Sequence, residues 1–131
     1  MKNYLIPKNQ LLTAPLEEIS RVLQELDKIP DFNTMEDIPN YFDRPVYAHY
    51  FYGGCDWFVH SIDEKYKAYF GFAIINQDYQ LSELGSFFID DLINYKKVEL
   101  DFYWQVKTLE ECLLSISQEY YQPIINRIKN Q

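Results

Sequence analysis

Tyr66-Lys67-Ala68-Tyr69-Phe70-Gly71-Phe72-Ala73-Ile74-Ile75 alternates along its whole length, as a pleated strand buried on at least one face does. Tyr66, Ala68, Phe70, Phe72 and Ile74 share one face, and Lys67, Tyr69, Gly71, Ala73 and Ile75 share the other. Gly71 in mid-strand points to a bulge or to a close neighbour over the sheet.

Short aromatic and β-branched runs flank this segment on both sides. Upstream, Asp63-Glu64-Lys65 reads as a turn, Trp57 to Ile62 as a strand and Val46 to Tyr52 as its antiparallel partner. Gly53-Gly54-Cys55-Asp56 forms the hairpin connection, either as a four-residue turn or as a two-residue Gly53-Gly54 turn. Downstream, a polar turn at Asn76 to Tyr79 precedes LSELGSFFIDDLINYKK, which Gly85 interrupts. A short strand around Ser86 to Phe88, a short helix from Asp90 to Tyr95 and a last strand from Val98 to Trp104 complete the pattern.

Helical periodicity appears only outside this region. From Ala14 to Ile29, Leu16, Ile19, Val22, Leu23 and Leu26 recur at helical spacing, with Pro15 in the first turn and Pro30 as the stop. Asp31 to Arg44 is an irregular connector rich in turn formers. Thr108 opens a second helix with a capping box to Glu111, and Leu109, Leu113, Ile116 and Tyr120 line its buried side. Pro123 breaks or kinks that helix, leaving a short, fraying helical tail to Gln131. The expected fold is α+β: one domain over residues 1–131. It comprises a helix at 14–29, an antiparallel meander of four or five strands at 45–104 and a helix at 108–121. The helices are expected on one face of the sheet.

At 131 residues and 47% hydrophobic content the chain can bury a core without staples. Cys55 and Cys112 form no disulfide framework, MKNYLIPKNQ is too polar for a signal peptide, and no apolar run approaches the roughly 20 residues of a membrane span. A cytoplasmic protein without membrane association is the expectation. Twelve basic and twenty acidic residues give a net charge of −8, which repels phosphate backbones and favours a basic protein partner. The same charge also serves solubility alone.

Several constellations invite chemical readings. His49 would face His60 across a four-residue turn, with Cys55 nearby; a two-residue turn would instead set His49 opposite Phe58. Zinc sites use close ligand pairs such as C-x-x-C, absent here, so no metal is expected. Pro30-Asp31 followed by Asp63-Glu64-Lys65 fits the loose P-D…D-x-K pattern of metal-dependent nucleases. That chemistry needs the later acid and lysine on a strand, whereas here they fall in a turn. No G-x-S-x-G elbow, P-loop or dinucleotide fingerprint can be written, and neither cysteine is flagged as activated. Tyr50, Tyr52 and Trp57 form a candidate aromatic platform that lacks the basic groove of a base-stacking module, so a protein-binding face or core packing is the better reading. Glu36-Asp37 and Asp90-Asp91 are candidate contacts for a cationic partner.

The order of segments from Pro30 to Glu111 resembles the bacterial family called domain of unknown function 2958. The residues that carry the resemblance are Glu36-Asp37-Ile38-Pro39, Pro45-Val46-Tyr47 leading to Tyr50-Phe51, Asp56-Trp57, and Tyr69-Phe70-Gly71-Phe72. Glu83-Leu84-Gly85 with Phe87, and Phe102-Tyr103-Trp104 leading into Lys107-Thr108-Leu109-Glu110-Glu111, continue it. The N-terminal helix is longer here, and Ser86-Phe87-Phe88-Ile89-Asp90 departs from the family pattern. The resemblance implies a mobile-element accessory role and supplies no catalytic residue. The functional expectation is a non-enzymatic, cofactor-free interaction module or inhibitor, of immunity-protein type, that binds a basic partner. The alternative is a Mg²⁺-dependent nucleic-acid-processing enzyme.

Overall fold

The computed structural model describes residues 2–95 and 97–130. Its centre is a five-stranded antiparallel sheet in the order β5-β4-β3-β2-β6. The strands are β2 (Ala48–Tyr52), β3 (Cys55–Asp63), β4 (Ala68–Ile75), β5 (Asp78–Phe88) and β6 (Glu99–Leu100). A second, two-stranded sheet pairs β1 (Pro45–Val46) with β7 (Lys107–Thr108), so the described residues hold more strands than the meander alone.

Turn chemistry sets the register. Gly53, at φ +52°, and Gly54 make a two-residue connection, so Tyr52 faces Cys55 and His49 faces Phe58. Asn76 and Gln77 are both left-handed and join β4 to β5, with Ile75 opposite Asp78. β5 is much longer than Ser86 to Phe88 because Gly85 pairs in register with Gly71 and interrupts nothing. β6 is shorter than Val98 to Trp104. After Leu100 the Asp101 carboxylate accepts from the Tyr103 N–H and turns the chain out of the sheet.

Gly71 answers to both of its expected roles. A Cβ there would lie 1.8 Å from the Phe58 carbonyl oxygen, so only glycine fits. The register also slips beside it: Val59 faces Gly71, but Ser61, two residues on, faces Phe70. The bulge is in β3, and His60 is its extra residue.

Helices cover both faces of the sheet, not one. α1 (Lys8–Thr13), α2 (Leu16–Leu26) and α3 (Ile89–Asn94) lie over Ala48, Tyr50, Val59, Ile62 and Tyr69. α4 (Leu109–Ile116) and α5 (Gln118–Lys129) lie over Phe58, Phe72 and Ile74. Two faces of β4 are therefore buried, which explains why both of its alternating sets are apolar. Ile19, Val22, Leu23 and Leu26 anchor α2, each contributing about 1.5–3 kcal/mol of burial.

Helix boundaries differ from the periodicity in two places. The N-terminal helix expected at 14–29 is α2, which starts after Pro15 at its N-cap and ends at Leu26, and α1 is a further helix before it. The C-terminal helix breaks at Ser117, whose side chain accepts from the Tyr120 N–H and starts α5. Pro123 lies inside α5, which runs to Lys129, and Ile125 beyond it is fully buried and anchors the tail; Gln131 is outside the described residues. The Thr108–Glu111 capping box forms as expected, with both reciprocal hydrogen bonds present.

Candidate functional site

The bulge at His60 turns two consecutive side chains, His60 and Ser61, toward one cleft. On the other side of that cleft the connector from Asp31 folds into two 3-10 turns, Phe32–Asp37 and Tyr41–Asp43, each started by an Asx cap. The β1–β7 pair fixes the chain just after the connector, and the Arg44 carbonyl accepts from the Leu109 N–H. These constraints place the Arg44 side chain inward, only 9% exposed, on a cleft of about 330 Å³.

Arg44 holds the connector together. Its Nε donates to the Ile38 carbonyl at 2.9 Å, one terminal nitrogen donates to the Met35 carbonyl at 3.0 Å, and its carbon lies 4.1 Å from the Tyr41 ring centroid. The other terminal nitrogen is 3.5 Å from His60 Nε2. A guanidinium can only donate, so His60 Nε2 accepts and its Nδ1 carries the proton, which points to Ser61 Oγ at 2.9 Å. Burial, reinforced by the Arg44 charge, lowers the His60 pKa to about 4. Ser61 thus receives a hydrogen bond from His60 instead of losing a proton to it, the opposite of an activated nucleophile.

The P-D…D-E-K residues do meet. Asp31 forms a parallel bridge with Ile62, and Asp31, Asp63, Glu64 and Lys65 line one crevice of about 570 Å³ with Lys2. Their carboxylates are already occupied. Asp31 caps the Asn33 N–H, Asp63 accepts from the Lys65 and Tyr66 N–H groups, and Glu64 pairs with Lys2 at 2.8 Å. Among the described residues no group of three His, Cys, Asp or Glu side chains is placed to hold a metal ion.

His49 and His60 do not pair. His49 stacks on Phe58 with centroids 4.8 Å apart, and its Nε2 lies 2.7 Å from Asp56 Oδ1. Its Nδ1 is buried without a hydrogen-bond partner, 4.0 Å from Asp101 Oδ2. Cys55 sits at the Asn76 turn, with its Sγ accepting from the Asn76 N–H. Cys112 is buried against the sheet, and desolvation pushes its thiol up to about 12.

Of the expected partner-binding residues, the three aromatics are not exposed together with the four acidic ones. For Tyr50 the core-packing reading holds and the partner-binding one is corrected: it is fully buried, its hydroxyl donates to the Leu5 carbonyl at 2.5 Å, and no stacking face is left open. Tyr52 and Trp57 are half-buried beside it, packed on the core under α1–α3, so the three make no exposed platform. Glu36 and Asp37 are exposed on the connector, with Glu36 at the rim of the Arg44 cleft. Asp90 and Asp91 are exposed in the first turn of α3, with Asp90 near Asn3, Tyr4 and Lys8. Nothing in the sequence marks Arg44 or places the bulge at His60; Gly71, which signals a bulge, is the one residue that leads toward them.

No protein-family model matches the chain, and neither a curated protein nor a solved structure matches it. No helix among the described residues is long and apolar enough to cross a membrane.

Proposed function

We propose that this protein is a non-catalytic binding module that engages a basic protein partner through its exposed carboxylates. One observation carries the reading. Asp31, Asp63, His60 and Ser61, which metal, acid–base or nucleophilic chemistry would recruit, are occupied by the fold, while Glu36, Asp37, Asp90 and Asp91 are exposed and hold no ion pair among the described residues. Asp31 and Asp63 cap turns, His60 is held neutral, and Ser61 is an acceptor. Free carboxylates in a chain of net charge −8 attract cationic surfaces and speed their encounter. An inhibitor that covers a basic nucleic-acid-binding site is the specific form of this reading, with an intracellular setting.

The test is capture from native host lysate on the immobilised chain, washed at rising salt, beside a Glu36→Lys, Asp37→Lys, Asp90→Lys, Asp91→Lys variant. A single stoichiometric basic protein that elutes with salt and is missed by the variant supports the proposal. A partner held equally by the variant, or indifferent to salt, contradicts it. The Mg²⁺-dependent alternative separates by titration: Mg²⁺ should leave the melting temperature where an equal ionic strength of Na⁺ leaves it, and a saturable rise would favour a metal site.

A further inference from the structure

Arg44 is a permanent cation, buried on a cleft wall, with no carboxylate in ion-pair contact among the described residues. A buried charge left without a counter-charge is costly, and carbonyl contacts offset only part of that cost. Its bonds to Ile38, Met35 and His60 leave one N–H on each terminal nitrogen without an acceptor in the described chain. A planar two-oxygen anion satisfies two such donors at once.

We propose that this cleft binds a small carboxylate with a planar, apolar body, a site that shares only Glu36, at its rim, with the basic-partner reading. The carboxylate meets the two free N–H groups of Arg44. His60, neutral and fixed as an acceptor toward Arg44, adds no second charge, and the Ser61 hydroxyl, which accepts from His60, keeps its own proton to donate. The body lies against Phe32 and Phe70, whose rings stack at 5.4 Å, and against Tyr41. Gly85 leaves the floor open: a Cβ there would meet no atom within 4 Å. No lysine lines the cleft and Glu36 stands at its rim, so a monoanion is admitted in preference to a doubly charged phosphate.

The test is an amide NMR titration of the full chain with benzoate, with uncharged benzamide and with inorganic phosphate. Benzoate is expected to shift the Arg44 Nε–H and the Ser61, Gly71 and Gly85 amides saturably, with benzamide and phosphate each at least tenfold weaker. Gly85→Leu fills the floor without touching the bonds of Arg44, and should weaken benzoate at least tenfold at an unchanged melting temperature. Glu36→Gln, at the exposed rim, should tighten it about twofold or more. Absence of saturable benzoate shifts, equal binding of benzamide, equal binding of phosphate, or full benzoate affinity in Gly85→Leu would each overturn the proposal. If Gly85→Leu fails to fold, Glu36→Gln decides: unchanged or weakened benzoate binding counts against the site.

Discussion

The Tyr50 hydroxyl lies 2.8 Å from the Tyr69 hydroxyl, between two rings that are both fully buried under the N-terminal helices. Tyr50 donates to the Leu5 carbonyl and accepts from Tyr69, so the pair ties the first residues of the chain to the middle of β2 and the start of β4. Tyr50→Phe removes the donor to a fully buried carbonyl and strands the Tyr69 hydroxyl. Chemical denaturation should show a loss of about 1–3 kcal/mol, the cost of leaving buried polar groups unpaired.

The same pair governs the alkaline limit. Burial raises both phenol pKa values above the usual 10, so the neutral forms belong to the folded state and the unfolded chain ionises first. Their stabilising contribution is complete below about pH 10 and is lost as the pH rises above it. Phenolate absorbance from these two rings should therefore appear together with unfolding; free titration in the folded protein would contradict this.

His60 sets an acid-side dependence of opposite sense. Its folded pKa of about 4 lies below the ordinary 6.5, so between those values the unfolded chain binds a proton that the folded chain does not. Its contribution is complete above about pH 6.5 and falls away as the pH drops toward 4. His60→Gln should flatten the fall in urea midpoint across that window, whereas an unchanged slope would place the proton elsewhere.

Gly71→Ala drives a methyl group into the Phe58 carbonyl, and neither backbone can retreat without breaking the β3–β4 ladder. Destabilisation of about 3 kcal/mol is expected from urea denaturation. By contrast Gly85→Ala, whose Cβ meets open space, should change stability by less than about 0.5 kcal/mol.

Thr108→Ala removes the reciprocal cap at the start of α4, where the Thr108 hydroxyl accepts from the Glu111 N–H at 3.2 Å. A loss of about 1 kcal/mol is expected, and Thr108→Ser should recover most of it. Equal stability of the Ala and Ser variants would show that the Leu109 and Leu113 packing alone holds the helix.

What could be read from residues in order was whatever local chemistry dictates. The capping box at Thr108 spans three residues, and the β2–β3–β4 alternation declares itself within each strand. The His49 partner depended on whether the turn held two residues or four, and Gly53 with a positive φ decides for two. The sequence points to Pro123 as the break or kink in the C-terminal helix, yet Ser117 makes the break, because a side-chain cap there satisfies the Tyr120 N–H. The sequence leaves Tyr50 between a binding face and the core because strand alternation does not say which face is covered, and here both are. Arg44 was out of reach: nothing local marks it, and its burial results from the connector, the bulge and the β1–β7 pair arriving at one place.

The central claim is electrostatic recognition of a basic partner. Its most direct test is the dissociation constant of the captured partner at 50 mM and at 500 mM salt, since that rise shortens the screening length about threefold and weakens exposed charged contacts far more than buried apolar ones. The account predicts at least tenfold weaker binding at the higher salt, with the difference reduced in the Glu36→Lys, Asp37→Lys, Asp90→Lys, Asp91→Lys variant. An affinity unchanged across that range would contradict it.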